Sequence, residues 1–265
     1  MSGALFVRGV GVWPPPALRA KLAAQSTETH ASAAAQKPAA ALLPARMRGR
    51  ASPLTLMLAE VAEQAARGAG VSLAHMPSVF GSAYGEMNTT ATLLSQLWAA
   101  DGQLSPAKFQ ASVHNTAAAQ LSIALHNPSF TTSIAAGHDT VAMCLIEAWA
   151  WLARHPGQVL VACADEGPTE TLQPGAAYPP LAAAFVLDNV AQHGLARIRL
   201  HAHELDALQE HSPLNPVTSA IALANVVLNA RELPRESRHA HSVQLSSAGA
   251  SGYRVSVEPV EAGDV

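Results

Sequence analysis

Residues Thr131 to Met143 read TTSIAAGHDTVAM, and the fold turns on how this stretch is read. The β-branched residues Thr131, Thr132 and Ile134 suit a buried strand. From His138 onward, apolar residues recur at the spacing of an amphipathic helix. Between the two lie Ala135, Ala136 and Gly137, the small residues of a turn that presents a nucleophile, yet no nucleophile stands there.

Working outward, the neighbouring segments alternate in the same way. Upstream, ALFVRGVGVW (residues 4–13) is a short apolar run ended by three prolines and reads as a first strand. Residues 24–45 are polar, then Ala/Pro-rich, and read as an irregular insertion. SPLTLMLAEVAEQAARGAG predicts a helix with Ser52 as N-cap, Pro53 at the first helical position and Gly68 or Gly70 as the stop. SVFGSAYGEM is a strand entering a tight turn; it lacks the lysine and glycine spacing of a phosphate-binding loop. TTATLLSQLWAA is a helix. SPAKFQASVHNTAAAQLSIALHN is a helix starting at Ser105-Pro106, broken near residues 112–115 and resuming through Leu125.

Downstream, PSFTTSIAA is expected as a strand, HDTVAMCLIEAWAWLARHPG as a long buried helix, and QVLVACADE as a strand apolar on both faces. PLAAAFVLDN and LARIRLHAHEL continue as strands, and NPVTSAIALANVVLNARE as a helix. HSVQLSSAGASGYRVSVEPV reads as a hairpin turned at Gly249 and Gly252. The alternation predicts an α/β layered domain with a mixed sheet and no internal repeat.

Composition excludes several functions. At 265 residues the chain is long enough to bury a large core. Hydrophobic residues make up 49% and charged residues 13%, so much apolar surface must be covered by the chain itself or by a partner. A net charge of -3 and the lack of a Lys/Arg cluster argue against nucleic acid. Apolar runs such as VAMCLIEAWAWLA fall short of the ~20 residues of a membrane span. The start MSGALFVRGVG lacks signal-peptide features, so a cytoplasmic protein is expected. Cys144 and Cys163 form no CxxC pair and read as core packing.

The segments LFVRGVGVW, VFGSAYGEM, SVHNTAAAQLSIAL, NPSFTTSIAAGHDTVAMCLIEAWAWL, VLVACADE and AAAFVLDN together resemble the N-terminal half of a β-ketoacyl-ACP synthase. They are more closely similar to the short ketosynthase-like, chain-length-factor-like family found beside aryl polyene synthases. The resemblance implies a thiolase-like fold, truncated relative to full ketosynthases, as a single ketosynthase-like domain over residues 1–265. Residues 4–200 carry the resemblance, and 205–265 add a helix and hairpin. In ketosynthases a cysteine stands at the helix mouth, where the dipole and free N–H groups lower its pKa. Here that place falls on Ala136 or Gly137, so no catalytic residue is assigned. No segment resembles the second half, which supplies two histidines and a lysine.

The resemblance further implies a noncatalytic subunit paired with an active β-ketoacyl-ACP synthase in type II polyketide (aryl polyene-like pigment) or fatty-acid-like synthesis. Ser129, Phe130, Thr131, Thr132 and Ser133 would meet the partner edge to edge. Phe109, Gln110, His114 and Asn115 would wall its acyl pocket, where each methylene excluded is worth roughly 1 kcal/mol. An acyl carrier protein is a further candidate partner; no cofactor or metal is expected. The alternatives are a small acyl-transfer or hydrolytic enzyme using Cys144, or Ser133 with His138 and Asp139, and a self-associating acyl-binding protein.

Other residues read more plainly. Asp139 is placed to cap its helix. Asp165 and Glu166 in CADEGPTE are expected in a solvated loop, although they could form an acid/base pair. His201 with His203, and His239 with His241, alternate so that each pair shares a strand face; surface positions are favoured over metal ligation, despite the adjacent Glu204. Of Trp149 and Trp151, one is expected in the core and one at a rim.

Overall fold

The computed structural model describes residues 3–14, 37–99, 102–169, 172, 178–190, 194–204, 215–230, 241–245 and 251–260. The first strand, β1 (Leu5–Trp13), lies inside the sheet, and its RGVGV sequence explains why a helix can pack tightly across it. A Cβ at Gly9 would collide with the Ala65 carbonyl oxygen, and one at Gly11 with that of Val61. Both contacts are to the long helix Pro53–Ala69. Only glycine lets the helix backbone approach the strand this closely.

After the single turn α1 (Ala45–Arg48), helix α2 (Pro53–Ala69) begins and ends where its sequence says it should. The Ser52 hydroxyl accepts from the Thr55 N–H at 3.0 Å, Pro53 occupies the first turn, and Gly70 closes the helix with φ 68°. Strand β2 (Ser78–Gly81) leads through a turn into α3 (Met87–Leu97). The helix expected to break near residues 112–115 does so, as α4 (Pro106–Gln110) and α5 (Thr116–Leu125).

Strand β3 is shorter than PSFTTSIAA suggests: only Thr131–Ile134 are extended. A 3-10 turn, Gly137–Asp139, then precedes α6 (Thr140–Arg154). Strands β4 (Gln158–Asp165), β5 (Leu181–Asp188) and β6 (Ala196–Glu204), helix α7 (Thr218–Asn229), and strands β7 (His241–Gln244) and β8 (Ser251–Pro259) complete the order. The terminal hairpin forms, but Gly252 is inside β8 opposite His203, where the ladder continues, and not at the turn. Gly249, His239 and the insertion up to residue 36 lie outside the described residues.

The eight strands form one mixed sheet in the order β3-β2-β4-β5-β1-β6-β8-β7. β3, β2 and β4 are parallel, and the remaining pairings are antiparallel. One core, under α2 and α5, includes Met57, Val61, Phe80, Leu160 and Val186. The other, under α6 and α7, includes Leu145, Leu152, Phe185, Leu223 and Val257. β4 and β5 are buried on both faces because they lie between these cores, as their apolar runs predict. No helix among the described residues is long and apolar enough to cross a membrane.

Candidate functional site

The turn between β3 and α6 is well ordered by its own bonds. The Thr140 hydroxyl accepts from the Ala136 N–H at 3.0 Å and donates to the Gly137 carbonyl at 2.7 Å, while Gly137 takes φ 54°. The methyl of Ala136 and the bare Cα of Gly137 occupy the junction, and neither can form an ester or thioester. Asp139 stands directly before α6, yet its side chain makes no capping bond, contrary to expectation. Its Oδ1 is enclosed without a hydrogen-bond partner among the described residues, as is the Ser133 hydroxyl. The Thr140 hydroxyl closes the turn instead.

Cys144 is fully buried. A Cβ added at Gly81 would lie 2.6 Å from its sulfur and 2.9 Å from that of Cys163, so both thiols pack against one glycine. The hydrogen bond to Cys163, together with burial, pushes the Cys144 thiol up, away from thiolate. Both cysteines are core residues, and the Cys144 nucleophile has neither exposure nor ionisation.

Asp165 and Glu166 are buried, which overturns the solvated-loop expectation. Asp165 accepts from the Ser82 hydroxyl at 2.7 Å and from the N–H groups of Ala83 and Tyr84 at 2.9 and 3.1 Å. Glu166 accepts from the Leu54 and Asn88 N–H groups at 3.2 and 2.9 Å, bridging the N-terminal turns of α2 and α3. Beside it Glu86, also buried, accepts from the Ser52 and Thr55 hydroxyls at 2.8 and 3.2 Å. Burial pushes Glu86 up to about 7 and Asp165 up to about 6, against the hydrogen bonds that favour ionisation. These carboxylates clamp the GSAYGEM turn and two helix N-termini; they are bonded to backbone and hydroxyls and not to each other. Sequence reading passed over Glu86. Its place one residue before α3 was the available signal, but Ser52 and Thr55 are more than thirty residues away.

β3 is an edge strand of the sheet. The Phe130 and Ile134 carbonyls accept from the N–H groups of Ser78 on β2 and of Ser82 just beyond its end. The strand's alternation therefore turns the peptide groups of Thr131 and Ser133 outward. Ser129 is tied down through the His75 carbonyl at 2.9 Å, and Phe130 stacks on Trp151 with centroids 4.1 Å apart. Thr131 accepts from the Ser78 hydroxyl, and Thr132 pairs with Val79. Trp149 and Trp151 are both half-buried and both pack against the core under α6 and α7, so the expected division into one core and one rim tryptophan does not appear.

Helix α5 packs beside β3 and carries exposed Ile123, 66% accessible. Ile123 shares a groove with Ala107, Ala111, Val113 and Ala119. Phe109, next to this groove in the chain, is 60% exposed, and α4 buries none of its side chains. Gln110 and Asn115 are exposed as well, whereas His114 points inward to the Ser82 carbonyl. The proposed edge residues and the proposed wall residues are thus brought to neighbouring elements, joined by α5.

Among the described histidine side chains, His201 and His241 lie on opposite faces of the sheet. Ladder pairing puts His201, opposite Arg254, on one face of the sheet, where it meets the Ser256 hydroxyl at 2.9 Å. His241, opposite Val257, is on the other. No group of three or more metal-ligating side chains forms among the described residues.

A parallel β3-β2-β4 edge, a strand-turn-helix at β3/α6 and helices on both faces give the layered α/β domain that the resemblance implies. Over residues 22–242 the sequence matches the family model "Beta-ketoacyl synthase, N-terminal domain", and the chain belongs to that family. Its structure is similar to a chain of the ketosynthase ApeO in complex with its chain length factor ApeC from Xenorhabdus doucetiae (TM-score 0.66, 17% identity, covering 96% of this chain and 99% of that one). It is also similar to the ishigamide ketosynthase/chain length factor (TM-score 0.73, 14% identity, covering 98% and 100%). A third similar structure is AntDE:AntF, a type II polyketide acyl-carrier protein in complex with its ketosynthase (TM-score 0.75, 10% identity, covering 97% and 100%). At these identities the likeness establishes the fold. No curated protein sequence matches the chain.

Proposed function

We propose that this chain is a noncatalytic, chain-length-factor-like subunit that pairs with an active β-ketoacyl-ACP synthase in type II polyketide synthesis of the aryl polyene kind. The observation that carries the reading is the β3/α6 junction. A strand, a turn and a helix follow one another there, and the place that the resemblance assigns to the nucleophile falls on Ala136 or Gly137, neither of which can react. Beside it, outward-facing peptide groups of Thr131 and Ser133 and the exposed apolar groove near Phe109 offer a surface suited to a partner subunit. Main-chain bonds along β3 set register, and Phe109 with its neighbours projects toward the partner's acyl pocket. The chain acts as a single ketosynthase-like domain in the cytoplasm, with the acyl carrier protein recruited to the pair.

Burial of Cys144 and Cys163 counts against the acyl-transfer alternative. The test is co-expression with the ketosynthase encoded nearest to it, followed by size-exclusion chromatography and mass determination. A stoichiometric heterodimer is expected. Elution of this chain alone, or as a homo-oligomer, would overturn the reading, and fast labelling of any side chain by an acyl-mimicking electrophile would revive the enzyme.

A further inference from the structure

The segment that carries Phe109 has almost no core of its own. Helix α4 buries no side chain, and Val113 just beyond it is 46% exposed. Its amides are used locally: Phe109 N–H bonds to the Ser105 carbonyl, Ala111 N–H to Ala107, and Ser112 N–H to Phe109. The bond from the Thr116 hydroxyl to the Gln110 carbonyl is long, at 3.4 Å. Against this background one side chain reaches inward. His114 Nε2 lies 2.8 Å from the Ser82 carbonyl oxygen. A carbonyl can only accept, so Nε2 carries the hydrogen.

The receiving end of that bond is rigid. The Ser82 hydroxyl donates to Asp165 and accepts from the Gly85 N–H at 2.8 Å, and the next two N–H groups also bond to Asp165. Gly85, with φ 62°, completes the seat: a Cβ there would approach the His114 ring Cδ2 to 3.0 Å. The imidazole therefore rests on a bare glycine and bonds to a turn that a buried carboxylate holds in place. We infer that His114 is a positioning residue: it anchors the Phe109-bearing segment to the Asp165-clamped turn and thereby sets how far that segment extends into the partner's acyl pocket. The inference about product length rests on the proposed pairing with a ketosynthase; the anchoring itself does not.

The two parts are tested separately. In the isolated chain, amide hydrogen exchange is compared for wild type, His114→Leu, which keeps bulk and removes the donor, and His114→Gln, which restores an N–H at similar reach. Loss of the anchor in His114→Leu is expected to speed exchange at Phe109, Ala111 and Ser112 by about fivefold, the effect of one hydrogen bond. His114→Gln is expected to stay near wild type, with core amides of β4 unchanged in both. Unchanged exchange in His114→Leu, or equal acceleration in both variants, overturns the anchor. In the co-expressed complex, His114→Leu is expected to keep heterodimer stoichiometry while shifting the product-length distribution, and His114→Gln to restore it. A heterodimer whose products do not change overturns the positioning role. If wild type forms no heterodimer, the proposed function falls and with it the product-length role, whereas the anchor is decided by the exchange result.

Discussion

Gly81 and Cys144 are in such close contact that a single methyl on the glycine would stand 2.6 Å from the cysteine sulfur. Cys163 and Thr140 close the same space at 2.9 and 3.0 Å. These atoms lie in the core, so they cannot give way into solvent. Gly81→Ala is therefore expected to lose about 1–3 kcal/mol from overpacking. Cys144→Ala in the same chain should recover part of that loss by vacating volume. Urea unfolding of the two single variants and the double variant checks this, and simple additivity of the losses would refute the contact.

Glu86 makes stability depend on pH. Its folded-state pKa of about 7 exceeds the ordinary value of 4.5, so between these values the folded protein holds a proton that the unfolded chain releases. Stability from this group is full below about pH 4.5 and declines as pH rises to about 7, by roughly 3 kcal/mol. Asp165 and Glu166, also raised by burial, act in the same direction. Glu86→Gln keeps an acceptor for Ser52 and Thr55 but cannot ionise. Urea midpoints at pH 5 and pH 8 should show the variant close to wild type at the lower pH and more stable at the higher. A variant that loses stability equally at both would show that the carboxylate is needed in its charged form.

Ser133→Pro isolates the outer edge of β3. The missing N–H is one that points away from β2, and edge strands tolerate proline for that reason. The isolated variant is expected to melt within a few degrees of wild type, since the β2 ladder is intact. The proposed heterodimer with a ketosynthase should be lost on size-exclusion chromatography. Retention of the complex would place the interface elsewhere.

Leu223 on α7 is completely buried between helix and sheet. Truncation to alanine is expected to cost about 2–5 kcal/mol. Because α7 and α6 share one core over the same face, the effect should extend to α6 amides in hydrogen exchange. Destabilisation confined to residues 215–230 would instead show that α7 is a separately unfolding unit.

Local chemistry made much of this molecule legible in advance. Ser52, Pro53 and Gly70 marked both ends of α2, the break at residues 112–115 separated α4 from α5, and the apolar run QVLVACAD announced a strand buried on both faces. The absence of a cysteine, serine or threonine between Ile134 and Thr140 was likewise a plain fact of the sequence, since no fold can supply a side chain that is not there.

What only the tertiary structure decided were contacts between residues distant in the chain. Asp165 and Glu166, followed by Gly167 and Pro168, look locally like a solvated loop. They are buried because donors from Ser82, Ala83 and Tyr84, and from the first turns of α2 and α3, converge on them and offset the cost of desolvation. For the same reason the roles of His114 and Gly81 could not be read from their neighbours in sequence. Each depends on a partner brought within a few ångströms by the parallel packing of β2 between β3 and β4, and local propensity carries no record of that distance.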